Sequence, residues 1–329
     1  MGTGKISFHG RLFSKYSIES NGYCVPIDAV DAQRLRDLND IIRETLNDRL
    51  VLSNPRWHNL TRIEHPKVLD CGPGEGDWGK SLLETYGHCK VTNVDINEDQ
   101  GHNVIQRQCS GIVKQFEHHQ WNMNMPLQLT HSRNSFQPET FDFINSRHLA
   151  AGIDAQRWPS FIGDLFSLLK PNGWLQAVEA EYRFLSQGQR PKTSDDEPLQ
   201  LWQSWYDLVM QQRSKDNRVG SKLRHYMEQT GLEHIETRTV PLRIGNWNSS
   251  PSVGAKIQQN VRSAIEALSL YPMTAELPEL GQPPMGFEQW EDLIRPAQNE
   301  LEREDSRLYF FAHCAVGRRP EKTWHTHQF

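Results

Sequence analysis

The stretch Lys67-Val68-Leu69-Asp70-Cys71-Gly72-Pro73-Gly74-Glu75-Gly76 decides the fold, together with Val91-Thr92-Asn93-Val94-Asp95-Ile96 further on. An apolar run ends in an acid and opens into glycines at alternate positions. Asp95 then follows Gly76 by nineteen residues. The order reads as a buried strand, a glycine turn, a helix, a second strand and an acid. It predicts a nucleotide-shaped pocket at the top of a parallel sheet. Glycines let a ligand approach the backbone, and the acid accepts hydrogen bonds from both hydroxyls of a ribose.

The glycines can be spelled two ways, as Gly72-x-Gly74-x-Gly76 or as Gly74-x-Gly76-x-x-Gly79, and the second is the dinucleotide fingerprint. The strand ends near Asp70, so Gly72 is the first turn residue and the fingerprint starts two residues late. Asp70 also stands where it repels a pyrophosphate and suits an ammonium. No Arg or Lys lies in the turn to offset phosphate charge. A ligand with a sulfonium, an ammonium and no phosphates, S-adenosylmethionine, fits these residues better; a tight turn without a ligand is the plain alternative. Asp95 is expected at the ribose, against the alternative of a capping acid. In Trp121-Asn122-Met123-Asn124-Met125-Pro126, an amide can accept from an adenine amino group while the next backbone N–H donates to the ring. Met123 can pack on the adenine face; a polar loop is the alternative.

Outward from this stretch, residues 1–27 read as irregular, with Tyr16 and Tyr23 as anchors, and Asp28 caps a helix to about Asn47. Strands are expected at 68–71, 90–94, 115–121, 141–146 and 174–180, with helices at 78–86, 100–116 and 158–169. Lys170-Pro171-Asn172-Gly173 is a turn signal. Strands alternating with helices call for a parallel sheet. Beyond it, 187–198 suits a mobile connection. Helices follow at 199–213, 220–230 and across 245–305, with late strands at 236–242 and 308–316. The organisation is therefore an N-terminal cover (1–66), an α/β core (67–186), a helical cover (187–232), closing strands (233–244 and 306–320), a helical insertion (245–305) and a tail (321–329). The helices without strand partners are placed over the ligand edge of the sheet.

Composition narrows the function classes. Apolar residues make up 36% and charged residues 23% of 329, an ordinary globular balance. A net charge of −5 supplies no broad basic footprint for nucleic acid. No run reaches the ~18 apolar residues of a membrane span. The N-terminus lacks the apolar core of a secretory signal, and Ile6 stands where a myristoylation site needs Ser or Thr. The five cysteines are scattered and never spaced as CxxC, which suggests reduced thiols and a cytoplasmic setting, with the nucleus left open. The fourteen histidines show no ligand spacing, so no metal site is expected.

At this point the chain resembles a family, the class I S-adenosylmethionine-dependent methyltransferases. It is similar to their fungal branch of LaeA-like regulators and natural-product methyltransferases. The resemblance rests on Val68 to Trp78, on Val94-Asp95-Ile96 and on Phe141-Asp142-Phe143-Ile144-Asn145-Ser146-Arg147-His148-Leu149-Ala150-Ala151-Gly152-Ile153. It continues through Leu168 to Gln176, Glu179, Tyr23 with Pro26 and Asp28, and the closing Ala315-Val316-Gly317-Arg318-Arg319-Pro320. It implies a Rossmann-like seven-stranded sheet with the last strand antiparallel and a helical cover. It also implies S-adenosylmethionine held by Tyr23, Asp70, Gly72, Gly74, Gly76, Asp95, Ile96, Asn122, Met123, Ser146 and Arg147. Asn122 stands where an Asp is usual, Pro73 replaces Cys or Thr, and Asn172 replaces Gly; the first keeps an acceptor.

His148 is the candidate general base, since it follows the 141–146 strand at the pocket edge and titrates near neutrality. Packing against the cofactor loop is its alternative. Arg147 can orient a carboxylate, or pair with Asp142 or Glu179. Glu179 and Glu181 can face the site or the surface. Trp202, Trp205, Tyr206, Trp247, Tyr271, Phe287 and Trp290 can line an acceptor pocket or pack helices together. The leading reading is methyl transfer to a small apolar or aromatic acceptor, with no nucleic acid or membrane partner. A regulator working through protein partners, a repurposed fold catalysing a rearrangement, a nicotinamide oxidoreductase and a homodimeric assembly stay open.

Overall fold

The computed structural model describes residues 4–52, 60–97, 116–127, 136–187, 197–276 and 282–321. The expected 100–116 helix, the 187–198 connection, the 321–329 tail and Cys109 lie outside them, wholly or nearly so.

Residues 5–19, expected as irregular, are structured. β1 (Lys5–Phe8) and β2 (Arg11–Ser14) pair as an antiparallel hairpin through the left-handed turn at His9 and Gly10, and α1 (Lys15–Glu19) follows, capped by Ser14. These strands are too short and too polar to announce themselves by periodicity. Asp28 caps α2 (Ala29–Thr45) as expected, accepting from the Asp31 N–H at 3.1 Å and gripping Arg11 at 2.7 and 2.9 Å.

The core sheet comprises β3 (Lys67–Cys71), β4 (Lys90–Asp95), β5 (Phe116–Gln120), β6 (Phe141–Arg147), β7 (Leu169–Ser186), β8 (Glu233–Arg243) and β9 (Leu308–Arg318). Their spatial order is β5-β4-β3-β6-β7-β9-β8. The five strands from β3 to β7 pair in parallel, and β9 runs antiparallel between β7 and β8. The fold is thus the Rossmann-like class I sheet with an antiparallel closing strand. From β3 the chain steps outward to β4 and β5, then returns to β6 on the other side. Such a switch opens a crevice at the carboxyl ends of the strands.

Two helices of the sheet are α3 (Asp77–Thr85) and α4 (Trp158–Leu168). The Lys170–Gly173 turn signal is absorbed into β7. Phe141 pairs with Leu169 but Phe143 pairs with Trp174, so the extra residues bulge, with Asn172 at φ +65°. β7 also runs on past Ala180 to Ser186, because β9 pairs with it along that length.

The cover consists of α5 (Pro198–Gln212), α6 (Leu223–Gln229), α7 (Pro251–Thr274) and α8 (Phe287–Glu300). One buried apolar cluster joins α2, α5, α7 and α8 to β7 and β9 through Leu38, Tyr206, Ile265, Trp290, Val178 and Phe310. The four described cysteines, Cys24, Cys71, Cys89 and Cys314, are buried and unpaired. Among the described residues no helix is long and apolar enough to cross a membrane, and no His/Cys/Asp/Glu group is arranged for a metal.

Candidate functional site

The carboxyl ends of β3, β4, β5 and β6 surround a cavity of about 120 Å³. Strand geometry explains its chemistry. Asp70 lies in register with Asn93 on one side and Asn145 on the other, and Asn145 with Gln176. Neighbours in parallel register share a face, so four buried polar side chains form one row across the sheet. Asn145 Nδ2 donates to Asp70 Oδ1 at 2.8 Å. Gln176 Nε2 donates to Asn145 Oδ1 at 2.9 Å and to the Leu50 carbonyl at 3.1 Å, while the Leu52 N–H donates to Gln176 Oε1. Asp70 is thereby held from behind, and its Oδ2 is left buried without a partner. Burial pushes its carboxyl up to about 7, against the Asn145 hydrogen bond and the Arg147 charge.

Asp95 ends β4. Its Oδ1 accepts from the Asn97 N–H at 2.8 Å, and burial pushes the group up to about 6. Arg147 ends β6. Its Nη1 donates to Asn39 Oδ1 on α2 at 2.9 Å, and its Nε and Nη2 are buried without partners. Neither expected ion pair to Arg147 forms: Asp142 takes Lys170, and Glu179 accepts from the Leu149 and Ala150 N–H groups at 2.9 and 3.1 Å. Glu179 therefore clamps the loop that borders the cavity, and burial pushes it up to about 8.

Ten of the twelve sequence-derived candidates line this cavity: Tyr23, Asp70, Gly72, Gly74, Asp95, Ile96, Asn122, Met123, Arg147 and His148. Gly76 and Ser146 do not. Gly76 sits at φ +83° as the N-cap of α3. Ser146 is buried in the sheet beside Cys71 and Ala177, because alternation along β6 turns it away from the face of Asn145 and Arg147.

Other lining residues carried weaker signals. Leu35 and Asn39, one turn apart on α2, reach the cavity from a helix that reads as generic cover. Asn124 pins the rim, donating to the Gly152 carbonyl at 2.9 Å and accepting from the Asp154 N–H at 2.7 Å.

His148 adopts a left-handed backbone, φ +56°, and its Nε2 is buried without a partner. Burial, with Arg147 and Arg34 nearby, holds the imidazole well below its usual range. The expectation of titration near neutrality is not met; the ring is neutral at pH 7.

A second chamber of about 40 Å³ shares Tyr23, Leu35 and His148 with the first. Its other walls include Leu38, Ala151, Ala180, Tyr182, Tyr206 and Leu268, with Arg34, Glu179 and Asn217. Of the seven aromatics expected as acceptor lining, only Tyr206 is among its walls. Trp202 stacks behind Tyr206 at 5.1 Å, and Trp290 donates to Ser269 Oγ at 3.0 Å. Helix packing claimed those two, since both indoles lie inside the helical cluster.

A doubly wound sheet with a glycine turn, two acids and a cavity at its switch point defines a class I methyltransferase fold. A family model described as a methyltransferase domain matches residues 33–237, and the chain belongs to that family. Among similar proteins is the N-methyltransferase sirN of Leptosphaeria maculans, 23% identical over 302 residues, covering 92% of this chain and 96% of that protein. The secondary metabolism regulator LAE1 of Cochliobolus heterostrophus is 19% identical, covering 64% of each. A Haemonchus contortus phosphoethanolamine N-methyltransferase 2 structure with S-adenosyl-L-methionine superposes with a TM-score of 0.44 at 15% identity, covering 87% of this chain and 57% of that one.

Proposed function

We propose that the larger cavity binds S-adenosylmethionine and the smaller chamber a small apolar or aromatic acceptor, to which a methyl group is transferred. One observation carries this. Asp70 Oδ2 and the Arg147 Nε and Nη2 atoms are buried without partners at the wall of one cavity. An amino-acid moiety satisfies both, its ammonium donating to Asp70 and its carboxylate accepting from Arg147. Asp95 is then the acceptor for ribose hydroxyls, Asn122 for the adenine amino group, and Ile96 and Met123 supply apolar walls.

The bound cofactor supplies a methyl group already activated by its sulfonium, so the protein has to align and to exclude water. Tyr23 and His148 face both spaces, which places them where acceptor and cofactor would meet. His148, neutral at pH 7, can take a proton from the attacking atom at Nε2. The N-methyltransferase name of sirN favours nitrogen as the attacked atom. A second reading, a regulator acting through protein partners, draws on the relatives named as secondary metabolism regulators.

Calorimetry with S-adenosylmethionine and its demethylated product tests the assignment on wild type and Asp95→Ala. Loss of two ribose hydrogen bonds weakens binding at least tenfold, about 1.4 kcal/mol or more. Unchanged affinity in the variant would refute the ribose role. Product masses separate methyl transfer from rearrangement, and methylation assays beside partner capture separate enzyme from regulator.

A further inference from the structure

Beyond the acceptor chamber lies a third, water-sized space of about 10 Å³ that shares Ala151 and Leu268 with it. Two buried cations border it, Arg213 and Lys215, with Cys24. Lys215 has used its donors: Nζ bonds the Asn21 carbonyl at 2.7 Å, the Gly152 carbonyl at 3.0 Å and Asp154 Oδ1 at 2.6 Å. Arg213 has not. Its side chain is 7% exposed and its guanidinium lies over the Tyr271 ring at 5.4 Å. Nη1 reaches Asn21 Oδ1 at 3.5 Å and Cys24 Sγ at 3.8 Å, while Nε and Nη2 are buried without partners. The carboxylate bonded in this group, Asp154, goes to Lys215.

A buried guanidinium with idle N–H groups and, among the described residues, no carboxylate of its own is costly unless a ligand completes it. We propose that Arg213 is the receptor for an acidic oxygen of the methyl acceptor. The acceptor is then a compact apolar molecule with its nucleophile toward His148 and a carboxylate at the opposite end. This rests on the reading of the chamber as the acceptor site. The third space is about water-sized, which suits a single carboxylate oxygen.

The probes are 4-aminobenzoate and its neutral counterpart 4-aminobenzyl alcohol. Each is titrated into the full chain with and without saturating S-adenosylhomocysteine. The carboxylate is expected to bind wild type at least tenfold more tightly than the alcohol. That preference should vanish in Arg213→Met and survive in part in Arg213→Lys, with S-adenosylhomocysteine affinity changed less than twofold in both. Equal binding, binding of neither probe, or a preference that persists in Arg213→Met overturns the proposal. The wild-type comparison decides by itself should a variant fail to fold. Loss of S-adenosylhomocysteine binding by wild type counts against the cofactor reading alone, because the carboxylate preference is read separately.

Discussion

Replacing Asp70 with Asn should make the ligand-free protein more stable at alkaline pH while weakening cofactor binding. The native carboxyl is raised by burial from an ordinary value near 3.8 to about 7. Between those values the native state keeps a proton that the unfolded chain has released, so stability falls as pH rises through the window. Above pH 7 the cost reaches about 4 kcal/mol, at 1.36 kcal/mol for each pH unit between them. At pH 5 less than half of it has accrued. Asn removes this charge but leaves a buried amide N–H₂ where Oδ2 had no partner, at a pH-independent cost of about 1–3 kcal/mol. The stability of Asp70→Asn relative to wild type should therefore shift in its favour by about 3 kcal/mol from pH 5 to pH 8. That is several degrees in melting temperature for a chain of this size. Thermal denaturation of both proteins without cofactor at the two pH values reads the double difference. Titration with S-adenosylmethionine at pH 8 should show at least a tenfold loss of affinity in the variant, as a charge-assisted bond goes. A stability difference that does not move between pH 5 and pH 8 would show that Asp70 is not a strained, desolvated carboxylate.

His148→Gln should lower kcat about a hundredfold, the low end for a lost proton acceptor, with cofactor affinity within threefold. Wild-type kcat should show no step at the ordinary imidazole pKa, because burial holds His148 well below that range; a fall with an apparent pKa near 6.5 would contradict the burial argument. Gly72→Ala should destabilise by about 1–2 kcal/mol through its φ of +66°. Its Cβ would also stand 2.3 Å from Leu149 Cδ2, so Leu149 must swing at the cavity wall and cofactor affinity should drop as well. Gly74→Ala meets nothing nearer than 3.7 Å, and a denaturation midpoint below that of Gly72→Ala would reverse the argument.

The parallel core was legible because its signals are local: apolar runs, a glycine turn and an acid at a strand end all lie within a few residues of one another. The cavity's two acids and its arginine followed from that. What escaped depends on distance in sequence. Asn93, Asn145 and Gln176 carry no local sign of a shared role, and only the lateral register joins them to Asp70. The N-terminal hairpin escaped because its eight strand residues are largely exposed or half-buried, so alternation is faint. Ser146 lies outside the cavity for the opposite reason. The resemblance groups it with Arg147, yet strand alternation turns the two to opposite faces of the sheet.

Three carboxylates at the site, Asp70, Asp95 and Glu179, are each raised by burial, and the three do not play one role. Glu179 spends both oxygens on backbone N–H groups of the 148–150 loop, so it holds the wall in place and calls for no ligand. Asp95 accepts from Asn97 at the cavity wall, and Asp70 keeps one oxygen on Asn145 and leaves Oδ2 without a partner. A protein that maximised its own stability would replace the latter pair with neutral groups of the same shape. Keeping them makes sense when a ligand that binds only the native state returns the cost, stabilising it by RT ln(1 + [L]/Kd). The ligand-free chain should thus be softest around β3 and β4 above pH 7, where both acids are charged. Cofactor should raise its melting temperature more at pH 8 than at pH 5. Equal stabilisation at the two values would mean that these acids meet their charge requirement within the protein, and that the cavity was not shaped for a cation.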